Sequence, residues 1–212
     1  MSRSTVVFEP LQTLTARALD LPGSNIDTDQ IIPARFLKKE RAAGYGQYLF
    51  FDKRFNAGSD DNDISPNEHP LNATEPPKIL VVQDNFGCGS SREGAIYALV
   101  DYGIRVVVGT GFGDIFFNNS FKNGLLPIRL TPADHLALRK DLSPFGLITV
   151  DLVNQCVQAS GHRASFDIDP FSKTCLLQGV DEVALTLGHE AEISAFEDSY
   201  SHRFPWLTPP KD

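Results

Sequence analysis

Cysteine is scarce. Three residues in 212, Cys88, Cys156 and Cys175, are too few and too scattered for a disulfide framework or a cysteine-rich metal site. They fit a reducing compartment. Also missing is any run approaching the ~18 apolar residues that a membrane span requires. Residues 1–10 include Arg3 but no apolar core of the kind a secretory signal carries. Arg17, with few early acids, makes only a thin case for a transit peptide, so a cytoplasmic protein is expected. Positive charge is in deficit too, with 19 Lys and Arg against 27 Asp and Glu and a net charge of −8. Phosphate backbones need clustered Lys and Arg, so nucleic acid is not expected as the main partner. There is no internal repeat and no low-complexity stretch. What remains, 42% hydrophobic and 22% charged residues, is the balance of an ordinary globular chain. The length suits a single domain across 1–212 with its own core.

Val6-Val7-Phe8 and the stretch 13–21 read as strands, the second stopped by Pro22-Gly23-Ser24-Asn25. The span 33–39 suits a short helix or a loop, and Gly44-Tyr45-Gly46 a turn. Residues 56–77 are polar and proline-rich, with Asp60, Asp61 and Asp63 close together, and read as one long loop. An EF-hand reading fails there because the turn glycine and the distal glutamate are missing. At 78–82 the pattern changes to Lys-Ile-Leu-Val-Val, a buried strand, followed by the glycine-spaced loop Asp84-Asn85-Phe86-Gly87-Cys88-Gly89. Ser90-Ser91-Arg92-Glu93 then opens a helix, with Ser90 and Glu93 at capping-box spacing. Ala95, Ala98, Leu99 and Tyr102 give that helix one apolar face, and Gly103 closes it. A strand at 105–108 completes a βαβ unit, which implies parallel pairing and a right-handed crossover. Beyond it come a helix at 113–122, a strand at 125–130 and a helix at 133–141 opened by Thr131-Pro132. Two strands at 147–157 and 164–168 turn at Ala159-Ser160-Gly161, and two helices at 170–178 and 182–198 follow. A proline-rich tail, 204–212, holds the only tryptophan, Trp206. The alternation of elements makes this an α/β chain.

The chemistry concentrates in Gly87-Cys88-Gly89-Ser90-Ser91-Arg92-Glu93. A strand that feeds a glycine turn into a helix start leaves backbone N–H groups and the positive end of the helix dipole facing outward, which makes an anion site. The glycines let the backbone close on a ligand oxygen. Arg92 offers a planar fork that matches a carboxylate or phosphate at two points. The serine hydroxyls can cap the helix, bind the ligand or exchange a proton. The same residues also spell an ordinary capped helix in which Ser90 and Glu93 serve each other. A Walker A loop is excluded because no Gly-Lys-Ser/Thr is present, and the dinucleotide fingerprint does not fit.

Asp27 and Asp29 form an Asp-x-Asp whose side chains would face one way in an extended segment. Two carboxylates alone make a poor metal site, and no metal is assigned to this chain. The five histidines (His69, His135, His162, His189, His202) share no motif and are assigned to the surface. Cys88 has neither an activating base nor a metal-ligand companion and reads as a small packing residue.

Asn-Phe-Gly-Cys-Gly-Ser-Ser-Arg at 85–92 resembles the signature of the aconitase superfamily's swivelling domain. So do Asn-Ile-Asp-Thr-Asp-Gln-Ile-Ile-Pro at 25–33 and Asp-Ile-Phe-Phe-Asn-Asn at 114–119, followed by Phe-Lys-Asn-Gly-Leu-Leu-Pro-Ile at 121–128. Together these motifs resemble the bacterial 3-isopropylmalate dehydratase small-subunit family over nearly the whole chain. The resemblance implies an aconitase-type swivelling β/β/α domain whose βαβ unit carries the active-site loop. It implies a heterodimer in which a 4Fe-4S cluster sits in the larger subunit and this chain carries no cofactor. The implied activity is a hydro-lyase of leucine biosynthesis that interconverts 2-isopropylmalate and 3-isopropylmalate, small dicarboxylic hydroxy acids, by dehydration and rehydration.

By motif position, Ser90 is the proton-transfer residue, and Ser91, Arg92, Gly89, Thr28 and Asp29 belong to the substrate-binding set. Asp29 would orient Ser90 or Arg92, or else cap a turn. Phe36, Leu37 and Lys38 stand where the family varies its specificity loop, an exposed basic loop being the plainer reading. Phe112, Phe116, Phe117 and Phe121 fall at helix-like spacing and are core residues or contacts to the larger subunit.

Some positions depart from the family pattern. After Arg92-Glu93 the family has His-Ala and then Pro-Trp, whereas this chain has Gly94-Ala95 and then Ile96-Tyr97. Gly109-Thr110-Gly111 replaces an Ala-Pro-Ser type of sequence, and Ser120 stands where cysteine is common. Gly94 costs the helix roughly 1 kcal/mol and removes an imidazole beside the loop. An altered pocket would suit a paralogous small subunit that acts on citraconate, 2-methylmalate or dimethylmalate. A non-catalytic anion-binding module is the reading from a different class.

Overall fold

The computed structural model describes residues 7–57, 64–140, 142 and 144–207. In chain order the elements are β1 (Thr13–Asp20), α1 (Thr28–Ile31), α2 (Phe51–Arg54), β2 (Phe55–Ala57), β3 (Ile64–Pro66), β4 (Ile79–Val81), α3 (Glu93–Tyr102), β5 (Val106–Gly109) and α4 (Asp114–Lys122). They continue with β6 (Leu126–Arg129), α5 (Pro132–Arg139), β7 (Phe145–Asp151), β8 (Cys156–Ala159), β9 (His162–Ser165), α6 (Pro170–Gln178), α7 (Glu182–Leu187) and α8 (Glu190–Arg203).

Short β-branched runs pair as expected of strands buried on both faces. The main sheet has the order β6-β5-β4-β1-β7-β8-β9. Its β6-β5-β4-β1 half is parallel and its β1-β7-β8-β9 half antiparallel. The expected parallel βαβ unit is β4-α3-β5, in register Ile79↔Val106. Strand periodicity sends alternate side chains to opposite faces, and the sheet divides two cores accordingly. Leu80 and Val107 join α3 and a set of aromatic rings on one side, while Ile79, Val81, Val106 and Val108 join α5, α6 and the antiparallel strands on the other. Strand β1 is buried only at Ala18 and Leu19, where β4 becomes its second neighbour.

Several sequence expectations are corrected by local hydrogen bonding. The strand expected at 147–157 is two strands, because the Asp151 carboxylate accepts from the Asn154 backbone N–H at 2.9 Å and from its amide at 2.7 Å, which folds a turn. The helix expected at 182–198 breaks at Gly188-His189 and resumes as α8, which buries no residue. Val7 and Phe8 are not a strand; their N–H groups donate to the Gly179 carbonyl, and Val6 lies outside the described residues. The span 56–77 contains the β2-β3 ribbon and a 3-10 turn at Pro70–Asn72 that buries Leu71; Asp60, Asp61 and Asp63 fall outside the described residues. Gly44 does turn, with φ 84°, but Tyr45–Tyr48 is a 3-10 helix.

The histidines are not all on the surface. His69 is half-buried, and His135 is 5% exposed with no partner for Nε2 among the described residues. Burial holds the His135 imidazole below its ordinary pKa, helped by the Arg139 charge and opposed by a hydrogen bond to the Val82 backbone and by Asp20. The folded state therefore resists protonation that the unfolded chain accepts near pH 6.5. The sign follows by linkage: stability falls as pH drops below the unfolded value and levels off below the folded one. Urea unfolding at pH 7.5 and pH 5.5 should show the loss, and His135→Leu should flatten it. His69, lowered in the same direction by burial first and by Arg54 and Lys53 next, accounts for a residual slope. An unchanged pH dependence in the variant would move the effect elsewhere.

Candidate active site

The site lies where open α/β sheets place ligands, beyond the carboxyl ends of parallel strands. From β4 the chain must reverse tightly, and Asn85, Gly87 and Gly89 take positive φ values of 57°, 71° and 90° to do so. A Cβ on Gly87 would lie 2.3 Å from the Phe116 ring, so the loop presses directly on α4. Backbone hydrogen bonds then join three segments. Phe86 N–H donates to Gly111 O at 3.1 Å and Gly113 N–H to Phe86 O at 2.9 Å. Gly87 N–H donates to Ile26 O at 2.7 Å, and Thr28 N–H to Cys88 O at 3.0 Å. The motifs at 25–33, 85–92 and 114–119 thus meet at one place.

Around this frame the side chains take distinct posts. Thr28 is buried, and its hydroxyl donates to Ser90 O at 3.0 Å. Asp27 and Asp29 do not share an extended face, because the segment is one turn of helix. Asp27 caps that turn, accepting from Gln30 N–H at 2.8 Å, whereas Asp29 forms an ion pair with Arg92. Turn capping and orientation of the arginine, alternatives in the sequence, fall to different aspartates. The expected Ser90–Glu93 capping box is absent. Helix α3 begins at Glu93, with Arg92 as an extended N-cap residue and no side-chain cap. Glu93 instead accepts from the Asn123 amide at 3.1 Å, at the far end of α4. Ser90 and Ser91 consequently stay on the loop, exposed, with no hydrogen bond to either hydroxyl among the described residues. Helix α4 also starts without a side-chain cap.

Ser90, Ser91, Arg92, Gly89 and Thr28 line one cleft of about 280 Å³ with the start of α4. Two uncapped helix starts border it and favour an anion. Ile96 and Phe116 supply buried apolar lining and Ile115 an exposed apolar rim, with Asn119 one turn further along α4. Cys88 also lines the cleft, unbridged, while Cys156 and Cys175 are buried. Among the described residues no three His, Cys, Asp or Glu side chains converge as a metal-binding group. No helix there is long and apolar enough to cross a membrane. A larger cavity, about 600 Å³, lies on the opposite face of α4 against α6 and α7. None of the glycine-loop residues lines it.

The segment expected to vary specificity does not line the cleft. Phe36 is buried, stacked on Tyr48 at 4.3 Å and tilted against Phe51 at 4.7 Å. Lys38 and the adjacent Lys39 are exposed and suit the basic loop. Leu37 is half-buried and covers Gly94, where a Cβ would lie 2.7 Å from Leu37 Cδ2 and 3.3 Å from Tyr45 Cε2. The Tyr45 hydroxyl fixes this segment by donating to Lys39 O at 2.8 Å, with Leu37 O a second, longer acceptor at 3.3 Å for the same proton. Leu37 and Tyr45 therefore fill the space beside Gly94. Ser120 is fully buried with its hydroxyl donating to Phe116 O at 2.7 Å, so this departure is satisfied within α4. Phe112, Phe116 and Phe121 are core residues, and Phe117 is partly buried between both cores. Asn119 and the Glu93–Asn123 contact carried no role in the sequence reading. The Ile115-to-Asn119 spacing, which places both on one helix face, was the available signal for the first.

The aconitase C-terminal domain family matches residues 8–133, and the family of C-terminal domains from 3-isopropylmalate dehydratase small subunits matches residues 182–210. The 3-isopropylmalate dehydratase small subunit of Gluconacetobacter diazotrophicus is 47% identical over 205 residues, covering 95% of this chain and 98% of that protein. That of Nitrobacter hamburgensis is 45% identical over 203 residues, covering 94% and 100%, and that of Shouchella clausii 45% over 196 residues, covering 92% and 98%. The crystal structure of a 3-isopropylmalate dehydratase chain from Methanocaldococcus jannaschii superposes with a TM-score of 0.62 at 23% identity, covering 87% of this chain and 99% of that one, which shows a common fold. The strands, the laced glycine loop and these relatives agree, and the chain belongs to the 3-isopropylmalate dehydratase small-subunit family, built on the aconitase-type α/β fold.

Proposed function

We propose that this chain is the cytoplasmic small subunit of a heterodimeric hydro-lyase that interconverts 2-isopropylmalate and 3-isopropylmalate, acting as one domain over 1–212. The observation that carries the reading is the unengaged Ser90 hydroxyl, held beside Arg92 at the uncapped start of α3. A serine hydroxyl is a weak base in water. Backbone N–H groups at a helix start, with a guanidinium nearby, stabilise its alkoxide and so raise its competence to take a proton. Ser90 removes the proton alpha to a substrate carboxylate, the neighbouring carbon loses hydroxide, and an unsaturated dicarboxylate results. In the reverse direction the proton and hydroxide, together one water, add to the double bond with their positions exchanged.

Arg92 binds a substrate carboxylate with Ser91 and the Gly89 loop, and Asp29 keeps the guanidinium aimed. Thr28 holds the Ser90 carbonyl, fixing the loop from below. The donor set of this chain does not suit an iron–sulfur cluster, since Cys156 and Cys175 are buried away from the cleft that Cys88 lines. The cluster belongs in this proposal to the large subunit, where its Lewis-acid iron would activate the leaving hydroxyl.

The identity of the relatives and the apolar lining from Ile96, Ile115 and Phe116 favour the branched substrate over smaller malate-type acids. The Gly94 departure does not open the cleft, because Leu37 and Tyr45 occupy that space. Purification with the cognate large subunit should yield a brown complex that prefers isopropylmalate over methylmalate and dimethylmalate, while the isolated chain is colourless and inactive. A preference for methylmalate or dimethylmalate would instead make this a paralogous subunit.

A further inference from the structure

Helix α4 lines the cleft with two polar residues for which the proposed mechanism has no use, Asp114 in its first turn, whose negative charge does not suit a carboxylate, and Asn119. Asn119 lies inside the helix, where asparagine is a poor choice because its amide competes with backbone hydrogen bonds. It lines the same cleft as Ser90, Ser91, Arg92 and Thr28, four residues after Ile115 and therefore on the same helix face. The side chain is half-buried, and its amide makes no hydrogen bond among the described residues. Neighbouring asparagines differ. Asn123 is committed to Glu93 at 3.1 Å and to the Asn119 carbonyl at 3.0 Å, while Asn118 is exposed and lines the cavity on the other side of α4. The amide is uncommitted and open to the cleft, so it can exchange solvent for a ligand oxygen without breaking any protein hydrogen bond. Across the cleft, Arg92 already shares its charge with Asp29, which leaves room for a second, neutral donor.

We propose that Asn119 is a substrate-binding residue whose side-chain NH₂ donates to a carboxylate oxygen of the dicarboxylic hydroxy acid. The inference rests on the dehydratase reading of this cleft and extends it from the glycine loop to α4. An amide donor suits this post better than a second cation, because it holds a carboxylate without competing for Asp29.

The test uses the complex of this chain with its large subunit and isopropylmalate as the probe. Asn119→Ala should raise KM by about tenfold, the loss of one charge-assisted hydrogen bond, with a smaller change in kcat. Asn119→Asp should be worse at pH 8, since it sets a carboxylate against the substrate's own. Its KM should recover towards that of Asn119→Ala as the pH is lowered and the new side chain protonates. Asn118→Ala serves as the control and should match the wild type, and melting temperature and subunit assembly should be unchanged throughout. The pH-dependent difference between the Asp and Ala variants is a readout that a packing role would not produce. Kinetics of Asn119→Ala within twofold of the wild type would overturn the proposal, as would a loss that tracks a fall in melting temperature or assembly. If the wild-type complex itself fails to turn over isopropylmalate, the dehydratase reading fails first, and the two results are distinguishable.

Discussion

Ser90→Ala should lower kcat of the assembled enzyme by about 10²–10⁴-fold, the usual contribution of a positioned proton-transfer group, with KM little changed. The substitution removes a hydroxyl that makes no hydrogen bond among the described residues and sits on an exposed loop. Folding and assembly therefore have little to lose. The loop is held by contacts that the variant retains, namely Thr28 on the Ser90 carbonyl and the backbone bonds at Gly87 and Cys88. Steady-state kinetics, with size-exclusion chromatography to verify assembly, separate a chemical role from a structural one. Normal turnover in an intact complex would refute the assignment and favour the non-catalytic anion-binding reading.

Gly87→Ala should cost about 2–5 kcal/mol of stability. Of this, ~1–2 kcal/mol comes from forcing a residue with a Cβ to φ 71°, and ~1–3 kcal/mol from overpacking. The new methyl would meet Phe116 at 2.3 Å. That ring is edge-on to Phe86 at 5.4 Å and parallel to Phe112 at 6.3 Å, so yielding to the methyl would disturb both contacts. Gly161→Ala provides the control, since Gly161 also has positive φ, 80°, but nothing lies within 4 Å of its absent Cβ. Urea unfolding of both variants isolates the steric part as the difference between them. Equal losses would mean that the contact with Phe116 relaxes freely.

Much of the architecture was readable because its signals are local. The β-branched runs of β4 and β5, with Gly103 between them, specify a strand, a helix and a strand without reference to the rest of the chain. The three site motifs were legible for the same reason. What escaped depends on distant partners. The spacing of Ser90 and Glu93 satisfies a capping box, yet Glu93 bonds Asn123 instead, and no local rule shows that competition. Helix α1 spans four residues, too few for periodicity to reveal, so Asp27 and Asp29 looked coplanar when they are not. Nothing in the sequence shows that Leu37 packs over Gly94. His135 looked like one more surface histidine on an amphipathic helix, and only the packing around Val82, Asp20 and Arg139 makes it a buried one.

The hydrogen bonds that lace 26–28, 86–88 and 111–113 run between main-chain atoms, and such bonds are blind to the identity of the side chains above them. The scaffold that positions Ser90 can therefore survive wholesale replacement of its rim. The cleft lining can change at Ile96 or Ile115 without displacing the Ser90 loop, provided that Gly87 and Gly113 stay bare. In the proposed mechanism the backbone thus fixes where Ser90 and Arg92 stand, while the side chains around them decide which acid fits, so the two can change separately.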